Sequence, residues 1–288
     1  RIVIPRARAR AKSAAVGRAA AVGRAAARGK GAVLWAPSTM TNSTRWFNPK
    51  SEVGNYTVRT DTFTPATSGN VNALLWDGAT NATRMVPNGI GNLTISNVTL
   101  KSQSRRVVGT TANLSISSGT SDKSGANFFY AFCVKLENFA EKGLLHVGLS
   151  TDAYEFEFNA EGKPHIKFKN SSADETTEGH TGTFAATSGE YQVHAIQRFG
   201  NTVTWTIDGQ TCISADTAYL AGSGTASVKL FKKLTSNSTP DYELAEFFRT
   251  DDTATTEIDR IKAEGYLAQK YGITLPRTHR YFRSSPTA

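Results

Sequence analysis

Hydrophobic residues along this chain occur in short runs separated by glycine and asparagine, a pattern that predicts β-strands joined by turns. A continuous apolar run, NFFYAFCVKL, occupies 127–136, and an alternating hairpin, YEFEFNAEGKPHIKFK, follows at 154–169. Strands at this spacing predict an all-β fold, an antiparallel jelly-roll β-sandwich. The 288 residues are enough to bury the core of one large β domain. Further strands are predicted at 92–100, 144–150, 190–214 and 226–234.

One segment near the end of the chain has helical periodicity instead, which predicts an amphipathic helix at about 257–271. Thr256 and Asp259 fit a capping-box start, while Gly272 and Pro276 mark its end. Two residues of the face that we expect to pack against a sheet are small, which allows a close approach. The predicted face consists of Ile258, Ile261, Gly265 and Ala268.

The stretch from Tyr242 to Tyr281 places this helix between a strand and a closing strap at 273–288. It resembles the closing segment of concanavalin A-like, laminin G-like β-sandwich domains of phage and bacterial surface proteins, except that Tyr271 and Arg280 stand where that family usually has Trp and Pro. The resemblance implies a lectin-like sandwich but no particular function, since such domains serve as lectins, enzymes and virion parts. The residues that carry it are Leu244, Ala245, Glu246, Glu264, Gly265, Tyr266, Leu267, Ala268, Lys270, Gly272, Leu275, Pro276, His279 and Tyr281.

Basic residues are concentrated at the start of the chain. Residues 1–30 contain nine of the 33 Lys and Arg residues and none of the 24 Asp and Glu residues. The remainder therefore carries 24 charges of each sign, and the pI of about 9.6 reflects the first segment alone. We divide the chain into an Ala/Gly/Arg-rich basic arm at 1–32 and a β-sandwich domain at 33–288.

The arm contains a six-residue repeat, AAVGRA, at 14–19 and again at 20–25. On a helix this period rotates successive basic residues by about 600°, whereas in an extended chain an even period keeps them on one side. We therefore favour an extended strap docked on a partner, with a disordered tail and a helix as the alternatives. The predicted partner-binding residues, all at even positions, are Arg6, Arg8, Arg10, Lys12, Arg18, Arg24, Arg28 and Lys30.

The partner that the sequence favours for the arm is protein. A sheet edge or an acidic groove on another virion protein, such as a capsid or tail subunit, would accept an extended cationic strap. Nucleic acid is the alternative, since each arginine can neutralise a phosphate. The arm contains no aromatic residue on which a base could stack, which argues against that alternative.

Concanavalin A-like folds include β-glucanases, so the resemblance makes paired carboxylates a candidate catalytic set. Such enzymes carry carboxylates on one strand face as E-x-D-x-x-E or E-x-D-x-E, at the separation that a retaining mechanism requires. Here Glu155 and Glu157 share a strand face, but the central Asp is absent and Glu161 falls in a hairpin turn. We expect no catalytic residues and no enzymatic activity.

Metal and cofactor signals are weak. A calcium site formed by Asp208, Asp251 and Asp252, of the kind some laminin G-like domains carry, is the alternative to our prediction of no cofactor. Cys133 lies in the most apolar strand and is expected in the core, while the pairing of Cys212 is left open. The five histidines have no metal-ligand spacing; they are His146, His165, His180, His194 and His279.

Targeting and modification signals add little. No run of 18 apolar residues is present, so no membrane-spanning helix is expected. Arg1 is expected to be a processed or truncated start, because neither an initiator Met nor an apolar signal-peptide core precedes the body. Eight Asn-x-Ser/Thr sequons are interpreted as polar strand and turn chemistry.

The closing-segment resemblance implies a phage virion structural protein at the virion surface, and the neutral β-rich body, the basic arm and the missing catalytic set agree with it. In this hypothesis a capsid decoration, cement or tail-associated component, homo-oligomeric in the assembly, is anchored by the arm and displays the sandwich. A glycan, if bound, is expected at exposed Trp, Tyr and Asn residues on loops. The alternatives are a carbohydrate-binding adhesin module and a jelly-roll coat protein whose basic arm binds the genome.

Overall fold

The computed structural model describes residues 127–148, 153–169, 175–179, 186–216, 227–232, 240–250 and 255–287, with short segments between 34 and 117. The predicted arm at 1–32 lies outside the described residues, as do His180, Asp251 and Asp252.

Nineteen strands in the described part of the chain, numbered in chain order, form two antiparallel sheets. The predicted jelly-roll sandwich followed by one helix is confirmed. The first sheet runs in the order β17 (Gln210–Asp216), β16 (Thr202–Ile207), β15 (Tyr191–Phe199), β10 (Phe128–Glu137), β19 (Asp241–Thr250), β8 (Arg106–Gly109), β7 (Leu93–Ser96) and β4 (Gly69–Val71), and β1 (Thr44–Phe47) also pairs with β19. The second runs in the order β14 (Glu175–Gly179), β13 (Pro164–Lys169), β12 (Ala153–Phe158), β11 (Gly143–Gly148), β18 (Ser227–Leu230), β9 (Asn113–Ser117), β6 (Arg84–Asn88), β5 (Ala73–Leu75), β2 (Val53–Thr57) and β3 (Thr62–Pro65).

Strand β10 is apolar from Phe128 to Val134 because both of its faces are covered there. Phe128 and Phe132 point into the core between the sheets, while Ala131 and Cys133 point to the opposite face, where the helix packs. A strand buried on both sides reads as a continuous apolar run instead of an alternating one. By contrast β12 alternates, with Phe156 and its apolar neighbours facing the core.

The C-terminal helix spans Glu257–Tyr271, as the sequence predicts. The Thr256 side chain accepts a hydrogen bond from the backbone N–H of Asp259, and the Asp259 carboxylate accepts one from the backbone N–H of Thr256. Gly272 ends the helix in the left-handed conformation at φ 76°. Both predicted caps are therefore confirmed.

The predicted buried face of the helix is wrong in part. Ile258 is 54% exposed, and Gly265 is buried not by the sheet but by the closing strap, since a Cβ placed on it would lie 2.6 Å from Cβ of Tyr281. The prediction considered only apolar residues. The buried face also includes Arg260 and Glu264, whose charges are stable there because the two side chains bind each other. The buried helix residues are Arg260, Ala263, Glu264, Gly265, Leu267, Ala268 and Tyr271.

The two ends of the sandwich domain meet beside this helix. Leu34 forms an antiparallel bridge with Thr287, and the backbone N–H of Trp35 donates to the carbonyl of Pro286 at 3.1 Å. The closing strap thus runs from the helix back to the point at which the arm joins the body. Among the described residues, no helix has both the length and the apolar character needed to cross a bilayer.

Candidate ligand-binding cleft at the meeting point of the chain ends

A buried carboxylate fixes the helix to the first sheet. Glu246 of β19 is fully buried and accepts hydrogen bonds from the Trp46 indole (2.6 Å), the Tyr266 hydroxyl (2.9 Å) and the Tyr271 hydroxyl (2.6 Å). The Lys270 ammonium lies 2.6 Å from its second oxygen. Burial of a carboxylate is costly unless its lone pairs are satisfied, and four donors satisfy them here. The network therefore holds Tyr266 and Lys270 in fixed positions.

The phenol of Tyr266 remains a hydrogen-bond donor over the whole physiological pH range. Burial, and to a smaller extent the negative charge of Glu246, raises the pKa of Tyr266 far above its ordinary value. The Lys270 ammonium lies over the rings of Tyr266, Trp46 and Tyr271 at 5.3, 5.8 and 5.5 Å from their centroids. These cation–π contacts further restrict the position of the ammonium.

Beside this network a cleft of about 260 Å³ opens between the helix and the paired chain ends. We call it the seam cleft. One wall is the helix, and the other is formed by the segments that enter and leave the sandwich domain. Its lining residues are Leu34, Trp35, Ala36, Tyr266, Gln269, Lys270 and Ser285.

The floor of the seam cleft is aromatic and rigid. The Trp35 ring packs edge-on against Tyr266 at 5.7 Å and in a tilted arrangement against Phe248 at 6.1 Å, and only 4% of Trp35 is exposed. Leu34, 63% exposed, forms part of the rim. An apolar floor bordered by a few polar groups is the usual composition of a small-ligand site.

The polar groups of the seam cleft are an amide, an ammonium and a hydroxyl. The Gln269 amide donates to the carbonyl of Tyr281 at 3.1 Å, which orients its oxygen, and Lys270 keeps 16% of its side chain exposed. The Ser285 side chain is exposed on the strap. Such groups exchange hydrogen bonds with hydroxyls, while the aromatic floor packs against apolar C–H surface.

A second buried carboxylate positions the strap. Glu264 accepts hydrogen bonds from the Thr206 hydroxyl (2.6 Å) and from Arg260 (2.7 Å), and His279 Nε2 lies 2.9 Å from its other oxygen. The backbone N–H of Tyr281 donates to His279 Nδ1 at 3.1 Å, so the ring proton belongs on Nε2. His279 therefore lies in the strap, as predicted, and attaches it to the helix.

The outer face of the second sheet carries the carboxylates considered for catalysis. Glu155 on β12 pairs in register with Lys167 on β13, and Glu157 pairs with His165. The Glu157 carboxylate lies 3.0 Å from the Lys167 ammonium and 3.8 Å from His165 Nδ1. Glu161 lies in the turn after β12, 68% exposed, away from this ladder. The structure thus brings Glu155 and Glu157 to one face and separates Glu161 from them.

A shallower depression of about 280 Å³ lies among turns at one end of the sandwich. Its single aromatic side chain, Phe139, is 7% exposed and packs under Gly162, where a Cβ would lie 2.9 Å from the ring. Asn138, Glu161 and Ser188 supply its polar groups. Its lining has one aromatic ring where that of the seam cleft has two, so it fits a sugar less well than the seam cleft does.

No group of three or more His, Cys, Asp or Glu residues is arranged for a metal ion in the part of the chain that the structure describes. Asp208 instead holds the turn between β16 and β17, where it accepts from the backbone N–H of Val193 at 2.7 Å and from Gln192 at 3.2 Å. Burial raises the pKa of Asp208 to about 6. The calcium alternative stays a prediction, since its other two residues are outside the described part.

Both cysteines are free and buried, Cys133 in the strand core as predicted. Burial raises the pKa of the Cys212 thiol to about 12, which disfavours the reactive thiolate. His194 is fully buried between the sheets, whereas His146 and His165 lie on strands of the second sheet.

The sequence pointed to exposed Trp and Tyr residues on loops as sugar contacts, and the described Trp residues are not of that kind. Trp205 lies in the core, and Trp46 is half-buried over Lys270. The resemblance residues did include Tyr266 and Lys270 as parts of the fold. No local sequence pattern marked Trp35 as part of the cleft, because its place there depends on the pairing of Leu34 with Thr287.

No family model matches the chain, and no curated protein matches it in sequence. Among solved structures, domain 4 of an extracellular arabinanase from Geobacillus stearothermophilus, solved with arabinotriose, is 11% identical with a TM-score of 0.49, covering 74% of this chain and 98% of that one. The receptor-binding domain of botulinum neurotoxin mosaic serotype C/D is 9% identical with a TM-score of 0.47, covering 76% of this chain. The matched region spans 51% of that neurotoxin domain. At these identities the likeness concerns the fold alone.

Proposed function

We propose that this chain is a carbohydrate-binding β-sandwich module and that the seam cleft is its glycan site. The observation that carries the proposal is the lining of the cleft, an aromatic floor formed by Trp35 and Tyr266 with the amide of Gln269 and the hydroxyl of Ser285 at its rim. A pyranose ring presents apolar C–H groups on its faces and hydroxyls at its edge, which this lining complements. The volume of about 260 Å³ suits one ring of a longer glycan.

Binding without hydrolysis fits this site better than catalysis does. No carboxylate of the described residues lines the seam cleft, and Glu246 beneath it is occupied by four donors. Glycoside hydrolysis ordinarily requires a pair of carboxylates facing the scissile bond. We therefore propose that the chain holds glycans and leaves them intact.

A cleft-filling substitution tests the proposed site. Ser285→Trp places a large ring over the floor, whereas Ser284→Trp adds the same ring at the neighbouring exposed position that does not line the cleft. On a glycan array, the unmodified chain and the Ser284→Trp variant should bind the same sugars, and Ser285→Trp should lose them. Equal binding by the two variants would refute the seam cleft as the site. If none of the three proteins binds any glycan on the array, the proposed function is refuted.

We further propose, as a second role, that the basic arm anchors this module to a phage particle, with the sandwich at the virion surface. The charge distribution supports this role, since nine basic residues precede a body with 24 charges of each sign. A domain that folds after removal of residues 1–30 but no longer joins particles would support the anchor. Shells that assemble without nucleic acid after the same removal would favour a genome-binding coat protein instead.

A further inference from the structure

The closing strap carries a row of exposed arginines, which we call the arginine strip. Two successive hydrogen bonds of the i to i+3 type shape the strap here, from the N–H of His279 to the carbonyl of Pro276 (2.9 Å) and from the N–H of Phe282 to the carbonyl of His279 (3.0 Å). Arg277 and Arg280 occupy the equivalent second position of these two successive turns, and Arg283 directly follows the second turn. The strip consists of Arg277, Arg280 and Arg283, all exposed.

The arginine strip has no acidic partner among the residues that the structure describes. From Gly265 to Thr287 the sequence contains no Asp or Glu, and within the described residues none of the three arginines has a carboxylate within 4.0 Å. The guanidinium groups instead lie over aromatic rings, Arg280 at 5.7 Å from the centroid of Tyr281 and Arg283 at 5.3 Å from that of Phe282. These contacts position the side chains while their charge stays available at the surface.

The strip continues into the seam cleft. Ser285 lines the cleft two residues beyond Arg283, and the Gln269 side chain of the cleft wall donates to the carbonyl of Tyr281. Strip and cleft therefore form one surface, cationic along the strap and aromatic at its end.

We propose that the glycan held in the seam cleft is an anionic polysaccharide built from uronic acids. One sugar ring occupies the cleft, and the carboxylates of neighbouring sugars pair with the arginine strip. Guanidinium groups form bidentate hydrogen bonds with carboxylates, which gives such a chain both affinity and direction. This inference rests on the proposed function and adds the chemical class of the ligand.

A single-stranded nucleic acid, the other common polyanion, fits this surface less well. It would need open aromatic faces for its bases beside the phosphate contacts. Along the strip, however, Tyr281 is buried and Phe282 is half-buried, and a guanidinium lies over each ring. The arginine strip therefore provides positive charge but no open aromatic face on which a base could stack.

The test compares polygalacturonate with its methyl-esterified form, which has the same sugar but no charge. Because the arm is itself cationic, all proteins carry glutamine at the eight even-numbered Lys and Arg positions from Arg6 to Lys30. The strip variant changes Arg277, Arg280 and Arg283 to Gln. The control variant removes three charges elsewhere on the surface, by Lys142→Gln, Lys163→Gln and Lys229→Gln. Circular dichroism confirms the fold of each protein, and calorimetry gives Kd.

The parent and the control variant should bind polygalacturonate equally, and the strip variant about tenfold more weakly, since three exposed ion pairs are lost. The methyl ester should bind the parent about as weakly as polygalacturonate binds the strip variant. Equal affinity for both polymers, or an unaffected strip variant, would overturn the anionic ligand. In that case, binding of neutral glycans that is abolished by Ser285→Trp would still support the proposed function. The same variants are titrated with single-stranded DNA. If the strip variant loses more affinity for DNA than for polygalacturonate, the inference is also overturned.

Discussion

At the residue scale, two buried carboxylates attach the C-terminal helix and the closing strap to the sandwich. Glu246 and Glu264 were recognisable in the sequence only as parts of a family resemblance, with no partner assigned. Their donors come from distant segments, such as Trp46 for Glu246 and Thr206 for Glu264. Pairings of that kind depend on the completed fold and leave no local pattern, which is why the sequence did not predict them.

Removal of the charge of Glu246 should destabilise the fold strongly. Glu246→Gln keeps the shape but leaves the Lys270 ammonium beside a neutral amide, and we expect a loss of about 2–4 kcal/mol in the free energy of unfolding. Urea denaturation measures this. The control is Glu257→Gln, whose side chain is 76% exposed, with an expected loss below about 0.5 kcal/mol. Losses of equal size in the two variants would contradict a structural role for the buried network.

His194 should make stability depend on pH. Burial lowers its pKa from 6.5 to about 3, so the folded state keeps it neutral while the unfolded chain takes up a proton. Stability is therefore lost as the pH falls below about 6.5. His194→Phe removes this effect, and the fall in unfolding free energy between pH 6.5 and pH 4 should become shallower by up to about 1.4 kcal/mol per pH unit. An unchanged slope would show that His194 does not titrate on unfolding.

At the element scale, the helix was predicted with its correct bounds but with the wrong neighbour for its glycine. Helix caps are formed by residues that lie close together in the sequence, so Thr256, Asp259 and Gly272 could be assigned from the sequence alone. The contact that requires Gly265 lies across a strap whose path depends on the meeting of the chain ends. Ile258 is exposed because the helix turns the charged pair of Arg260 and Glu264 inward, against β16 and the strap.

The close approach at Gly265 makes a substitution there unfavourable despite a gain in helix propensity. Gly265→Ala should gain about 1 kcal/mol from propensity but lose about 1–3 kcal/mol through overlap with Cβ of Tyr281, 2.6 Å away. Thermal unfolding is expected to show net destabilisation.

A double-mutant cycle separates these two effects. Because the nearest atom is Cβ, the relieving change is Tyr281→Gly, and Gly265→Ala should be neutral or stabilising in that background. An equal penalty in both backgrounds would contradict the assigned contact.

At the scale of the whole molecule, the sandwich brings its two ends together and places the seam cleft beside the cationic strap. The jelly-roll class followed from the spacing of apolar runs and turns, which is a property of the entire chain. The cleft could not be derived in that way, because Trp35 and Ser285 are 250 positions apart and meet only through the bridge of Leu34 with Thr287. The role of the arm at 1–32 stays a prediction.

The most direct test of the seam cleft as the glycan site is an NMR titration of the chain, with ¹⁵N-labelled tryptophan, by trigalacturonate. The indole resonances of Trp35 and Trp205 are assigned through Trp35→Phe and Trp205→Phe. The Trp35 resonance should shift progressively with saturation, since this ring forms the floor of the cleft, and Trp205 in the core should not move. Saturable binding with no change at Trp35 would contradict the site, and the absence of any change would contradict binding of a uronate glycan.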